Sequence, residues 1–383
     1  MRSWPNFQEF NQKLVDAYIR HARLMGKKER TIFGEVWYIK PFTDFTENKP
    51  LWQITPEDVE NYVLHRTETR SKTTVHNGII VLKNFYKWFN AKGINLLEPG
   101  TTVSTAHLFD GIKTRQPKNY LPVDELILAE DVKELRDAAT SQRNRAIIMF
   151  LWDSAVRMGE LINTNIGHVQ FDKYGAVVIV NGKTGMRRIR LIDCVPDLQL
   201  WINMHPLRDD PEAPLFITDR KYKGKYRRLE SQTINNMLNG LAKKAGAKKN
   251  IHPHAFRHGR LTDLAMRGFN EMELRIFAGW TRESNMPATY LHLSGADIEK
   301  KILQKNGIIE DDTKEREEKL RPIDCPRCKT RNPIGAKYCF TCSMVLDHKL
   351  AVEVQDVKTE TIGQVDSTMM LEIMNFVKKF NKK

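Results

Sequence analysis

The chain has 383 residues, with 61 Lys and Arg against 47 Asp and Glu, a net charge of +14 and a pI near 9.4. Its length suits two or three folding units, and 41% hydrophobic residues can fill their cores, which excludes a disordered chain. The longest apolar run, Ala146 to Trp152, is far short of the roughly 20 residues a transmembrane helix needs, and the N-terminus has no apolar signal region. A cytoplasmic protein is expected.

The first hundred residues read as helices. Gln8 to Leu24 places Phe10, Leu14, Ala17, Tyr18 and Leu24 on one face, and Thr31 to Phe45 does the same with Ile32, Val36, Ile39 and Phe42. Thr55-Pro56-Glu57-Asp58 is a helix start, with a hydroxyl cap, proline in the first turn and acids behind it. Thr73 to Ala91 carries a further apolar stripe, which Gly93 is expected to end. Gly111 to Tyr120 reads as a basic linker lying over DNA. Val132 to Ala139 and Arg145 to Ala155 read as helices, and the β-branched runs Ala176–Val180 and Arg187–Ile192 as a hairpin around Gly182-Lys183-Thr184-Gly185. Ser231 caps a helix bearing Ile234, Met237, Leu238 and Leu241. Further helices are expected over Phe256–Met266, Glu271–Ala278, Ala296–Asn306 and Ser367–Phe380.

Charge is unevenly spread. Residues 111–308 carry an excess of +10, against +3 before them and +1 after. A polyanion such as DNA is the partner this field suits. Candidate phosphate contacts are Lys113, Arg115 and Lys118 in the linker, Lys221, Lys223, Lys225, Arg227 and Arg228 in an aromatic-interleaved loop, and Lys243 and Lys244 at a helix end. Such contacts give affinity and position without reading sequence.

Three separated segments and one hairpin turn hold groups suited to a single chemistry: Ala155-Val156-Arg157-Met158-Gly159-Glu160-Leu161, His252-Pro253-His254-Ala255-Phe256-Arg257-His258, Gly279-Trp280 with Tyr290 ten residues on, and Lys183. Two guanidinium forks can grip a phosphodiester and stabilise its transition state. A phenol can attack it if a base and cations are near, and an ammonium can protonate the leaving hydroxyl. No carboxylate cluster of the kind a magnesium nuclease needs stands out.

In this order and spacing the sequence resembles the tyrosine recombinases, or phage-type integrases, over roughly residues 8–300. Ala155 to Leu161 is similar to the family's first arginine box, usually Gly-Leu-Arg-x-x-Glu-Leu; His254 to His258 is similar to the second, and Gly279-Trp280 with Tyr290 to the third. Trp280 stands where many members have His, and the stretch from Gly279 to Gly295 looks closer to archaeal relatives. The resemblance implies a catalytic set of Arg157, Lys183, His254, Arg257, Trp280 and Tyr290. Tyr290 would form a 3′-phosphotyrosine and release a 5′ hydroxyl, with no ATP and no catalytic metal. His254 is given the tyrosine's proton, although His252 and His258 flank the box and compete for that role. A homotetramer on two double-stranded DNA sites is implied, serving a virus, plasmid or other mobile element. A host Xer-type chromosome-dimer resolvase and a non-catalytic zinc-ribbon regulator are the alternatives.

Cys325, Cys328, Cys339 and Cys342 form two C-x-x-C pairs, a spacing that suits one structural zinc ion in a short ribbon; Cys194 stands apart as a core residue. The fold expected is mainly α with a small β-sheet (α+β). Its parts are a helical core-binding domain over 1–110, a linker over 111–120 and a catalytic recombinase domain over 121–308. A charged linker over 309–321, a zinc ribbon over 322–348 and a tail with a C-terminal helix over 349–383 follow.

Overall fold

The computed structural model describes residues 4–103, 105, 107–113, 125–182, 185–284, 286–291, 303, 306–308 and 320–347. The expected helices at Ala296–Asn306 (save a few residues) and Ser367–Phe380, Lys183, and the linker cations Arg115 and Lys118 lie outside them. The chain divides into two compact units, residues 1–119 and 120–383. Among the described residues no helix is long and apolar enough to cross a membrane.

The first unit is helical. Its helices are α1 (Glu9–Leu24), α2 (Glu29–Phe45), α3 (Pro56–Thr69) and α4 (Lys72–Ala91). Thr55 starts α3 as its sequence requires: its hydroxyl accepts from the Asp58 amide while the Asp58 carboxylate accepts from the Thr55 amide. Ile32, Val36, Ile39 and Phe42 on α2 are all fully buried, and the Tyr18 ring meets Phe85 edge-on at 5.2 Å. The stripe read on α1 is narrower than expected, because Phe10 and Leu24 are exposed. Gly93 acts differently from the expected helix stop. It opens a 3-10 turn, and a Cβ there would lie 2.8 Å from the Phe89 ring, so close approach is what demands glycine.

The second unit contains α5 (Ala129–Ala138), α6 (Gln142–Ser154), α7 (Met158–Asn163), β1 (Val169–Asp172), β2 (Gly175–Gly182), β3 (Gly185–Leu191), α8 (Val195–Met204), α9 (Ser231–Lys244), α10 (Pro253–Met266), α11 (Glu271–Ala278) and α12 (Met286–Leu291). The three strands make one antiparallel sheet in the order β1-β2-β3, in which Val178 faces Ile189 and Gly182 faces Gly185. Helix α6 is buried on every side, with Ala146 to Trp152 almost fully covered, so it is the spine of this core. The sequence reading missed β1, α7, α8 and α12, of which three span only four to six residues, too short to show a period. Ser231 is the first residue of α9 rather than its cap, which is Glu230.

A small two-stranded piece, β4 (Ile323–Asp324) and β5 (Arg331–Asn332), holds the cysteines. It packs on the same unit. Leu320 joins the main core, Ile334 packs against it, and the Arg331 guanidinium donates to the Tyr174 carbonyl at 3.2 Å.

Candidate active site

Helix α6 ends at Ala155, which takes a left-handed turn with φ +47° and redirects the chain into Val156 and Arg157. Arg157 caps α7 and is partly exposed. Glu160, one turn into that helix, is buried, and it accepts both the Arg157 backbone amide at 2.7 Å and the Arg157 guanidinium at 2.9 Å. The first box therefore locks its arginine onto its own glutamate. Burial alone would raise the Glu160 carboxyl, but the guanidinium of Arg187 beside it, with Arg157, holds it below its usual range.

The second box lies on α10. His252 caps that helix, its Nδ1 accepting from the Ala255 amide at 3.3 Å. Arg257 is almost wholly buried and donates to the carbonyls of Ala155 at 2.7 Å and Ala278 at 2.5 Å. Its remaining N–H donors can serve an anion. Burial, then the cations Arg157 and Arg187, push Arg257 down to about 9, and a negative group beside it would offset the repulsion among the three guanidiniums.

The third box follows α11, whose C-cap Gly279 is left-handed with φ +62°. Trp280 stacks on Tyr290 with ring centroids 5.5 Å apart, and the Arg257 guanidinium lies 5.6 Å from the indole. Tyr290, on α12, is buried in an apolar cluster with Ala155, Leu261, Leu264, Leu274 and Ala278. Its hydroxyl is hydrogen-bonded to His258 Nδ1, and the two rings stack at 5.7 Å. Burial raises the Tyr290 phenol above its ordinary range, while burial and the neighbouring cations lower His258 to about 4. At neutral pH the pair is thus a neutral phenol and a neutral imidazole, and in the tautomer protonated on Nε2 the Nδ1 lone pair accepts from the hydroxyl.

The geometry bears on one expectation, the choice of base. His254 was given the tyrosine's proton, but it is exposed and meets His258 edge-on at 4.4 Å, while His258 holds the hydroxyl. The reason is position along the helix: residues 254 and 258 share one face of α10 a turn apart, and only the later one lies level with Tyr290. Arg157, Arg257, Trp280 and Tyr290 are brought together. The hairpin approaches them too, since a Cβ on Gly182 would collide with the Glu160 carboxylate, and Lys183 follows Gly182 in sequence. Sequence reasoning gave no role to Glu160 or Arg187.

Of the cations expected to meet DNA, Lys113, Lys243 and Lys244 are exposed. Lys221, Lys223, Lys225 and Arg227 are exposed around a turn in which Lys223 and Gly224 have positive φ, and Arg227 stacks on the Tyr222 ring at 3.6 Å. Arg228 differs from its neighbours. It donates inward to the Ile162 carbonyl at 2.6 Å and to Asn165 Oδ1 at 2.7 Å, so it anchors the loop after α7 instead of facing solvent with its whole fork.

The four clustered cysteines place their sulfurs within 4.8 Å of one another, with Cys325–Cys342 and Cys328–Cys339 both at 3.5 Å. They could hold one metal ion. A tetrahedral site with bonds of roughly 2.3 Å needs sulfurs roughly 3.8 Å apart, so the donor set fits. Cys194 is buried in the main core, as expected for a small apolar residue.

Comparison with known proteins places this arrangement. Residues 14–95 match the N-terminal SAM-like domain of phage integrases, and residues 125–296 match the phage integrase family itself. The XerC tyrosine recombinase of Leptospira interrogans is 27% identical over 302 residues, covering 75% of this chain and 92% of its own length. The XerA tyrosine recombinase of Pyrococcus horikoshii is 22% identical, covering 74% and 89%. A lambda integrase dimer bound to a COC′ core site superposes with a TM-score of 0.58 at 15% identity, covering 73% of this chain and 76% of that one. The Tn1549 transposon integrase in complex with transposon right end DNA gives 0.57 at 20% identity, covering 76% and 99%. Residues 320–347 lie outside both matched family ranges.

Proposed function

We propose that this chain, which belongs to the phage integrase family of tyrosine recombinases, uses Tyr290 as the nucleophile with which it breaks and rejoins a DNA strand. The observation that carries the assignment is the meeting of three sequence-distant boxes: Tyr290 on His258, Trp280 on Tyr290, and Arg157 and Arg257 on adjacent carbonyls beside them.

A scissile phosphate enters against the free edges of Arg157 and Arg257, which neutralise its non-bridging oxygens and the charge that grows there. Its negative charge raises the basicity of His258, which takes the Tyr290 proton as the phenolic oxygen bonds to phosphorus. The bond to the 5′ oxygen breaks, and Lys183 supplies the proton that oxygen needs. The Trp280 indole N–H is a donor available to the phosphate. A 3′-phosphotyrosine and a free 5′ hydroxyl result. Attack by a 5′ hydroxyl from a second duplex reverses each step, and because one ester replaces another no ATP is required.

The partner is double-stranded DNA, for which the exposed loop at 221–227 and the end of α9 supply phosphate contacts, and the working assembly is a tetramer on two sites. The cysteine piece binds one structural zinc ion. That ion gives residues 320–347 a stability they are too short to gain from apolar burial, and four closed ligands leave no position for catalysis. The biological task is integration or excision for a mobile element. Host dimer resolution is the second reading, favoured by the XerC and XerA relatives. Incubation with nicked duplexes that lose the 5′ fragment after cleavage tests the chemistry: a denaturation-resistant protein–DNA adduct is expected, and tight binding without any adduct would point to a regulator.

A further inference from the structure

We propose that Arg187 is a positioning residue for strand cleavage, holding the Gly279–Tyr290 segment and Glu160 in register with the two phosphate-binding arginines. The inference rests on the assignment of Tyr290 as nucleophile and adds a residue that none of the three boxes contains.

The last carbonyls of α11 carry an unusual load. Phe277 accepts from Arg187, Ala278 from Arg257 at 2.5 Å and Gly279 from Arg157 at 3.2 Å. Three successive carbonyls at the negative end of one helix are thus each held by a different guanidinium. Two of those arginines are the phosphate grip. The third comes from β3, two residues beyond the end of the hairpin at Gly185.

Arg187 also donates to Glu160 at 2.7 Å, the same carboxylate that fixes Arg157 through its backbone and its side chain. One buried fork therefore bridges the first box, the hairpin strand and the third box. The two bonds come from the two terminal nitrogens of one rigid fork, which holds both acceptors at a fixed separation as a compact ammonium on a flexible stem does not. Gly279 completes the fit: a Cβ there would sit 2.7 Å from Arg187 Cδ, so the left-handed turn into Trp280 is packed directly on this side chain. Arg187 Nε is buried with no hydrogen-bond partner among the described residues.

The consequence is kinetic. A misplacement of about 1 Å between nucleophile and phosphate can slow a reaction by about 100-fold. We expect Arg187→Lys and Arg187→Ala to form the covalent adduct about 10- to 100-fold more slowly at saturating nicked duplex, with DNA affinity within about twofold of the parent. Methylguanidinium added to Arg187→Ala should recover part of the rate, which a loss of general stability would not allow. Gly279→Ala, which displaces Arg187 without removing it, should slow cleavage in the same direction. In the DNA-free chain, hydrogen exchange over residues 277–284 should quicken in each variant.

Parental cleavage by Arg187→Ala, equal losses of binding and cleavage, or slowed cleavage with unchanged exchange over 277–284 would each overturn the proposal. If the parent itself forms no adduct, that result counts against Tyr290 as nucleophile. The exchange measurement then still decides whether Arg187 holds this segment.

Discussion

The Tyr290 hydroxyl rests on Nδ1 of His258, with the two rings stacked 5.7 Å apart, so the proposed nucleophile and the base proposed for it are already paired before any DNA is present. His254, the base that the sequence reading put first, lies outside that pair. General-base assistance is worth about 100- to 10,000-fold, so His258→Ala should lose adduct formation by about that factor. His254→Ala should lose less. Single-turnover cleavage of a nicked duplex by the two variants, compared at saturating DNA, checks the order.

The same pair predicts a pH dependence of stability. His258 titrates at 6.5 when free and is lowered to about 4 in the fold, chiefly by burial and then by His254, Arg257 and His252. Between those values the unfolded chain binds the proton and the folded one does not, so the contribution is intact above about pH 6.5 and is lost as pH falls toward 4. His258→Gln removes that titration, and the fall in melting temperature of the second unit below pH 6.5 should become shallower. Melting curves taken from pH 7 to pH 4 on both proteins measure it.

The two arginines proposed to grip the phosphate, Arg157 and Arg257, stand in different surroundings, and their alanine variants should separate accordingly. Arg157 is partly exposed, so Arg157→Ala should abolish cleavage with a small change in stability. Arg257 is buried and joins the ends of α6 and α11, so Arg257→Ala should lose both cleavage and about 3 kcal/mol of stability. Denaturant titration beside the cleavage assay distinguishes them.

Lys183 is expected to protonate the leaving 5′ oxygen. A 5′-bridging phosphorothiolate departs without a proton, so it should restore cleavage to Lys183→Ala and leave Arg157→Ala inactive. Failure of rescue would assign the general acid to another residue.

Chelation should release one metal ion per chain and unfold residues 320–347, because a piece that small has little core without its ion. The contact of Arg331 with the Tyr174 carbonyl should then be lost, with faster hydrogen exchange at residues 172–176, while the α6 core keeps its protection. Metal analysis and exchange before and after chelation test both parts.

Much of this site is legible in the sequence because its chemistry is carried by residue types that are costly to place at random. The boxes around Arg157, Arg257 and Tyr290 are visible as motifs, and the cysteine pairs as a spacing. What is not visible depends on phase and register. Arg187 is one of three arginines on a seven-residue strand, with Arg188 and Arg190, and only the pairing of Val180 with Arg187 decides which of them turns toward Glu160. His252, His254 and His258 are chemically alike in a linear reading. Helix α10 makes the first a cap, leaves the second exposed and brings the third to Tyr290. Helix α12 escaped notice since six residues with a proline in them carry no periodic signal.

The most direct measurement is to digest the adduct trapped on a nicked duplex and identify the residue that carries the nucleotide. A phosphotyrosyl peptide containing Tyr290, absent from Tyr290→Phe while that variant still binds DNA, is the expected result. An adduct on any other residue, or one that persists in Tyr290→Phe, would contradict the assignment of this tyrosine as the nucleophile.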